Sequence, residues 1–107
     1  MNRHIDFATQ VRVGHNPETD FALSQTYAIT IARQLAAAGR WDGRGTLTVH
    51  NPVALFVRLQ RTLVERHDPA FDVLVYQGIH ALQPGADFEV TDERGEPRHQ
   101  DIEDNSL

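Results

Sequence analysis

The sequence has no cysteine and no lysine. The first absence removes disulfides, thiolate zinc sites, iron–sulfur clusters and cysteine nucleophiles together. The second removes Schiff-base chemistry and the phosphate-binding lysine of nucleotide loops, so all ten basic residues are arginine. Serine is nearly missing as well. Ser24 and Ser106 are the only two, and neither stands in a G-x-S-x-G elbow. No apolar run approaches the length of a membrane span, and MNRHIDFATQ lacks the apolar stretch of a secretory leader. The expectation is a cytoplasmic protein with no membrane association, no cofactor and no metal.

What is present is ordinary globular composition: 107 residues, 40% apolar and 23% charged. That length supports one hydrophobic core. The organisation read from it is a single domain over residues 1–100, with 101–107 as an acidic frayed tail. Charge is unevenly spread. Residues 1–85 carry a balance of +1 and residues 86–107 a balance of −6. A duplex-binding protein more often shows a broad basic surplus, so direct nucleic-acid binding is disfavoured.

Periodicity supplies the elements. HIDFATQVRV alternates, with Ile5, Phe7, Val11 and Val13 on one face and Asp6, Gln10 and Arg12 on the other, which predicts a half-buried strand. Phe21, Ala28, Ile31, Ala32 and Leu35 recur at helical spacing, after a cap at Thr19 or Asp20 and before a terminating Gly39. TLTVH reads as a short strand. NPVALFVRLQRTLVERH reads as a second helix with a Phe56–Leu59–Leu63 stripe and an Arg61–Glu65 pair. FDVLVYQ, apolar at nearly every position, reads as an interior strand, and DFEVT as a strand of a closing hairpin. The predicted fold is α/β, with α+β as the variant. It is a small two-layer domain with a β-α-β-α-β core, both helices on one face of the sheet, and a C-terminal β-hairpin. The opposite sheet face, without helical cover, is expected to be polar.

His-Asn-Pro occurs twice, at 15–17 and 50–52, and His-Asp-Pro once, at 67–69. Asparagine caps helices and proline suits the first helical position, so the motif reads mainly as punctuation between elements. The histidines are left over. If the first two strands are parallel, His15 and His50 fall at their carboxyl edge beside helix N-termini, where open α/β sheets bind ligands. They are the candidates for a ligand or anion. His67 is placed at a helix C-terminus, on the other edge.

Trp41 is the single tryptophan, in GRWDGRG. It reads first as a cover over the end of the first helix and second as a protein-binding anchor. Asp87, Glu89, Asp92, Glu93 and Glu96 form an acidic stretch without the spacing of a calcium loop. Each catalytic reading lacks a necessary partner. The leading expectation is therefore a non-enzymatic protein-interaction module, adaptor or regulator, using the open sheet face and the acidic hairpin. A homodimer through that face is a subsidiary expectation. The alternative is an acidic inhibitor whose carboxylates fill the basic groove of a nucleic-acid-binding complex, of the anti-CRISPR kind that phages and mobile elements encode. The third reading is a small enzyme or ligand-binding protein using His15 and His50.

Overall fold

In the computed structural model, which describes residues 4–62 and 64–98, the chain runs α1 (Phe7–Gln10), β1 (Val11–Val13), α2 (Phe21–Ala37), β2 (Thr46–Val49), α3 (Pro52–Gln60), β3 (Val64–Asp68), β4 (Val73–Tyr76), a 3₁₀ turn (Gln77–Ala81) and β5 (Phe88–Thr91). The main sheet has the order β1-β2-β5. β1 runs parallel to β2, and β5 antiparallel to it. β3 and β4 form a separate antiparallel pair. Helices pack on sheets as the α/β reading requires. Leu63, the side chain of Glu65, and the tail at 101–107 lie outside the described residues.

The first difference from expectation is at the N-terminus. Phe7–Gln10 is a helical turn and only Val11–Val13 is strand. The Gln10 side-chain oxygen accepts the Asp6 amide at 2.9 Å, while the Asp6 carbonyl accepts the Thr9 and Gln10 amides. This short reciprocal bonding outcompetes the alternation, because among the described residues no strand pairs with residues 5–10. It also turns Phe7 edge-on to Trp41 and Phe71.

α2 is the element the sequence describes best. The Asp20 carboxylate accepts the Leu23 amide at 3.0 Å, as an N-cap should. Gly39 follows the helix at φ +76°, the left-handed geometry that glycine adopts without penalty. Ala28, Ile31, Ala32 and Leu35 are fully buried, so three small or branched side chains and a leucine bring the helix close onto β1 and β2. Phe21 departs from the pattern: it stands exposed on the first turn.

The second helix is shorter than predicted. α3 ends at Gln60, where the Thr62 hydroxyl and amide both bond the Leu59 carbonyl. The chain then enters β3, pairing residue by residue with β4 across a bulge between Val64 and Arg66. The β3–β4 turn is built by Asp68, whose carboxylate accepts the Ala70 amide and whose carbonyl accepts that of Phe71, with Asp72 at φ +52°. FDVLVYQ is consequently no interior strand of the main sheet. Leu74 is 45% exposed, and the third main-sheet strand is β5, the predicted hairpin strand. After β5 a turn at Asp92–Gly95 returns the chain for one bridge, Thr91 to Pro97, a shortened form of the expected C-terminal hairpin.

The β3–β4 pair is fastened to the rest of the molecule by a buried amide. Gln34 of α2 is 1% exposed. Its Oε1 accepts the Tyr76 amide at 2.9 Å and its Nε2 donates to the Leu74 carbonyl. A side-chain amide thus stands where the peptide of a third strand would pair with β4. Removing it leaves two backbone groups unpaired in a sealed environment, which is costlier than the bonds themselves are worth. Below Gln34 the core is continuous, from Val11, Leu47 and Val49 of the sheet to Leu55 and Leu59 of α3 and Val75 of β4.

Just past the C-terminus of α2, Trp41 is 2% exposed and donates its indole N–H to the Arg44 carbonyl at 3.1 Å. Arg98 grips the same loop, with a bidentate pair to Asp42 at 2.9 Å. The Arg98 hydrogen bond holds the Asp42 carboxyl below its ordinary 3.8. The lowered value means stability present above pH 3.8 and lost as pH falls through the folded-state value. Asp42→Asn should therefore flatten the acid limb of the stability–pH curve below about pH 4, by less than about 1 kcal/mol because the pair is solvent-screened. Gln34→Leu should cost about 2–4 kcal/mol in urea unfolding, with the largest rise in amide exchange at β4.

Candidate functional site

β1 and β2 leave the sheet side by side, and their continuations form the floor of a cleft of about 410 Å³. It is lined by His15, His50, Asn51, Arg58, Ala86 and Asp87, among others. The carboxyl edge of the parallel pair therefore does bring His15 and His50 together. The Gly14 amide donates to the Val49 carbonyl at 2.8 Å, the Asn51 amide to the His15 carbonyl at 2.6 Å, and the His50 amide to the Asp87 carbonyl at 2.9 Å. Three segments are sewn together at His50.

The imidazole of His50 is fully engaged. Its Nδ1 accepts the His15 backbone amide at 3.0 Å, and its Nε2 lies 2.7 Å from Glu89 Oε2. One tautomer satisfies both contacts, with the proton on Nε2 donated to the carboxylate. Both ring nitrogens are then committed within the protein. A metal ion or a transferring proton would have to displace a bond, and among the described residues no three His, Asp or Glu converge as a metal set. The ring lies so close over Gly14 that a β-carbon there would sit 2.3 Å from Nδ1.

The helix N-terminus behind the cleft differs from the expected cap. Asn51 adopts the left-handed conformation, φ 49° and ψ 57°, and its side chain makes no capping bond, while Pro52 is at the first helical position. Asparagine is selected here for its tolerance of positive φ. In the first copy of the motif, the Asn16 side chain instead donates to Ser24 Oγ at 2.8 Å, pinning the loop to α2 and accounting for the buried serine. The third copy is a hairpin turn, and His67 lies on β3 with Nε2 3.2 Å from Asp72, not at a helix end.

The acidic candidates separate into two groups. Asp87 accepts the Gln83 amide at 2.7 Å and lies 3.5 Å from Arg58, with only 13% of its side chain exposed. Asp92 accepts the Arg94 and Glu96 amides, both at 2.9 Å. Both carboxylates build turns, and Glu89 is held by His50. The side chains of Glu93 and Glu96 stand at the surface, although the Glu96 backbone closes the turn with Asp92. Trp41, sealed under Phe7, has no side open to a partner, which withdraws it as a binding anchor.

The second face of the main sheet is the larger feature. Val11, Leu47 and Val90 align across the three strands on the buried side, as do Val13, Val49 and Phe88. The intervening row, Arg12, Thr48 and Glu89, therefore points the other way, and Arg12 and Glu89 are exposed. His50 lies on this side too, through Glu89. Of the even-numbered residues expected to make this face polar, only Arg12 lies on β1, since Asp6 and Gln10 belong to the helical turn before it; Thr48 and Glu89, brought alongside by register, complete the row.

Gly14→Ala should displace the His50 ring, costing about 1–3 kcal/mol in chemical unfolding, and should collapse the separate imidazole nitrogen shifts that a single tautomer gives by NMR. No family model, no curated protein and no solved structure matches this chain.

Proposed function

We propose that this protein is a non-enzymatic interaction module whose binding surface is the open face of the β1-β2-β5 sheet. The observation that carries this reading is the asymmetry of the sheet. One side is closed by α2 and the core, and the other presents Arg12, Thr48 and Glu89 in one row at the surface. A polar face with a threonine on its central strand and opposite charges on the two flanking strands suits specific protein contact, since charges beside an interface set register and suppress wrong partners.

Two other readings have less support. An acidic antagonist needs a row of free carboxylates, yet Asp87 and Asp92 build turns and Glu89 shares one oxygen with His50. A ligand site at His15 and His50 has only the His15 ring to offer, because His50 has both ring nitrogens engaged. No helix of the described residues is long and apolar enough to cross a membrane.

The test is affinity capture from host lysate with the full chain, read by quantitative mass spectrometry. Thr48→Arg, which crowds the centre of the face, should reduce capture of the partner at least about tenfold. The paired change Glu93→Gln and Glu96→Gln should leave it within about twofold. Loss of capture with the second pair and not the first would replace the sheet face by the acidic turn as the binding element. Equal capture by all forms would end the proposal.

A further inference from the structure

The charges on the open face are arranged with a definite handedness about β2. Register places Arg12 on one side of Thr48 and Glu89 on the other. At strand spacing the two lie about 10 Å apart, each about 4.8 Å from the central strand. Arg12 is exposed and has no ion-pair partner among the described residues. Glu89 gives one oxygen, Oε2, to His50, and half of its side chain stays exposed. On the central strand Thr46 and Thr48 are short, and the His50 ring stands on the same face just past the strand's end.

We infer that the face is self-complementary and that its occupant is a second copy of this chain; the inference rests on the interaction reading above and names the partner. Two copies can stack face to face about a two-fold axis lying between the sheets. With the axis parallel to β2, Arg12 of each copy meets Glu89 of the other, Thr48 meets Thr48, and two identical ion pairs form. With the axis perpendicular to β2, arginine meets arginine and glutamate meets glutamate. The charge pattern therefore selects the first arrangement, with the strands of the two sheets aligned, as stacked sheets usually are. A foreign partner would need only a complementary pattern of its own. This face already carries its own complement.

The interface is small. Three strands and four residues give roughly 200 Å² of sheet per copy before flanking loops are added, against about 800 Å² per partner in a standard interface. The dimer is accordingly weak, and it forms at concentrations well above those of a tight complex.

The experiment is sedimentation equilibrium of the full chain from about 10 µM to 1 mM, the range in which small interfaces assemble. The unmodified chain should rise from one to two chains in mean mass. Arg12→Glu alone and Glu89→Arg alone should each weaken this at least about tenfold. An equimolar mixture of those two variants should restore it, because every facing pair in the mixed dimer is again of opposite sign. Thr48→Arg, which removes neither Arg12 nor Glu89, should also abolish the dimer, and it keeps the test open if either charge variant proves poorly folded by circular dichroism. Single variants that dimerise like the parent, or a mixture that fails to recover, overturn the inference. So does a parent chain that stays monomeric throughout. If that monomer still captures a foreign protein in a Thr48-dependent manner, the face remains an interface and only the second copy is wrong. If capture ignores Thr48, both readings fail.

Discussion

The amide of Gln34 is the contact on which the assembly of this fold depends. A two-stranded β3–β4 pair has little stability of its own in water. Here its free edge is completed by a side chain from α2, which offers one donor and one acceptor at the spacing of a peptide. Because the amide is sealed from water, the cost of losing it falls on two backbone groups as well as on the glutamine. The helix that covers the main sheet is thereby also the element that holds the second pair. One helix joins both layers, and Val75 is buried as a result.

A similar economy governs the repeated His-(Asn/Asp)-Pro units. Their proline and Asn/Asp positions act locally, yet no two copies act alike. Asn51 supplies a left-handed turn, Asn16 a tether to Ser24, and Asp68 a hairpin corner. The histidines differ too: His50 is locked between Glu89 and the His15 amide, and His67 pairs with Asp72. Identical tripeptides diverge because Asn and Asp side chains can bond the nearby backbone in several ways, and the surrounding structure chooses among them.

The open sheet face follows from how few residues remain after the core is closed. α2, α3 and the β3–β4 pair all contribute to one hydrophobic cluster, so the other side of the sheet keeps its alternating polar residues at the surface. The sequence marks those positions as polar through strand alternation. Which charges end up neighbours is a matter of register, and a shift by one residue would have put Arg12 in the core.

The sequence alone determined what depends on near neighbours. Helix α2, with its Asp20 cap, buried stripe and Gly39 terminus, was legible because each signal lies within a few residues of the others. The exclusion of thiol and lysine chemistry needed only a residue count. The parallel pairing of the first two strands was expected from the helical crossover between them, and the meeting of His15 with His50 follows once the strands are parallel. Tertiary structure decided the rest. Residues 64–68 carry a pattern compatible with helix, and pairing with β4 made them strand. Trp41 read as either cover or anchor until Phe7 closed over it. His50 received its partners from 35 and 39 residues away in sequence. Contacts of that separation are fixed only when the whole chain has folded, because their free energy depends on exclusion of water by segments that a local pattern does not contain.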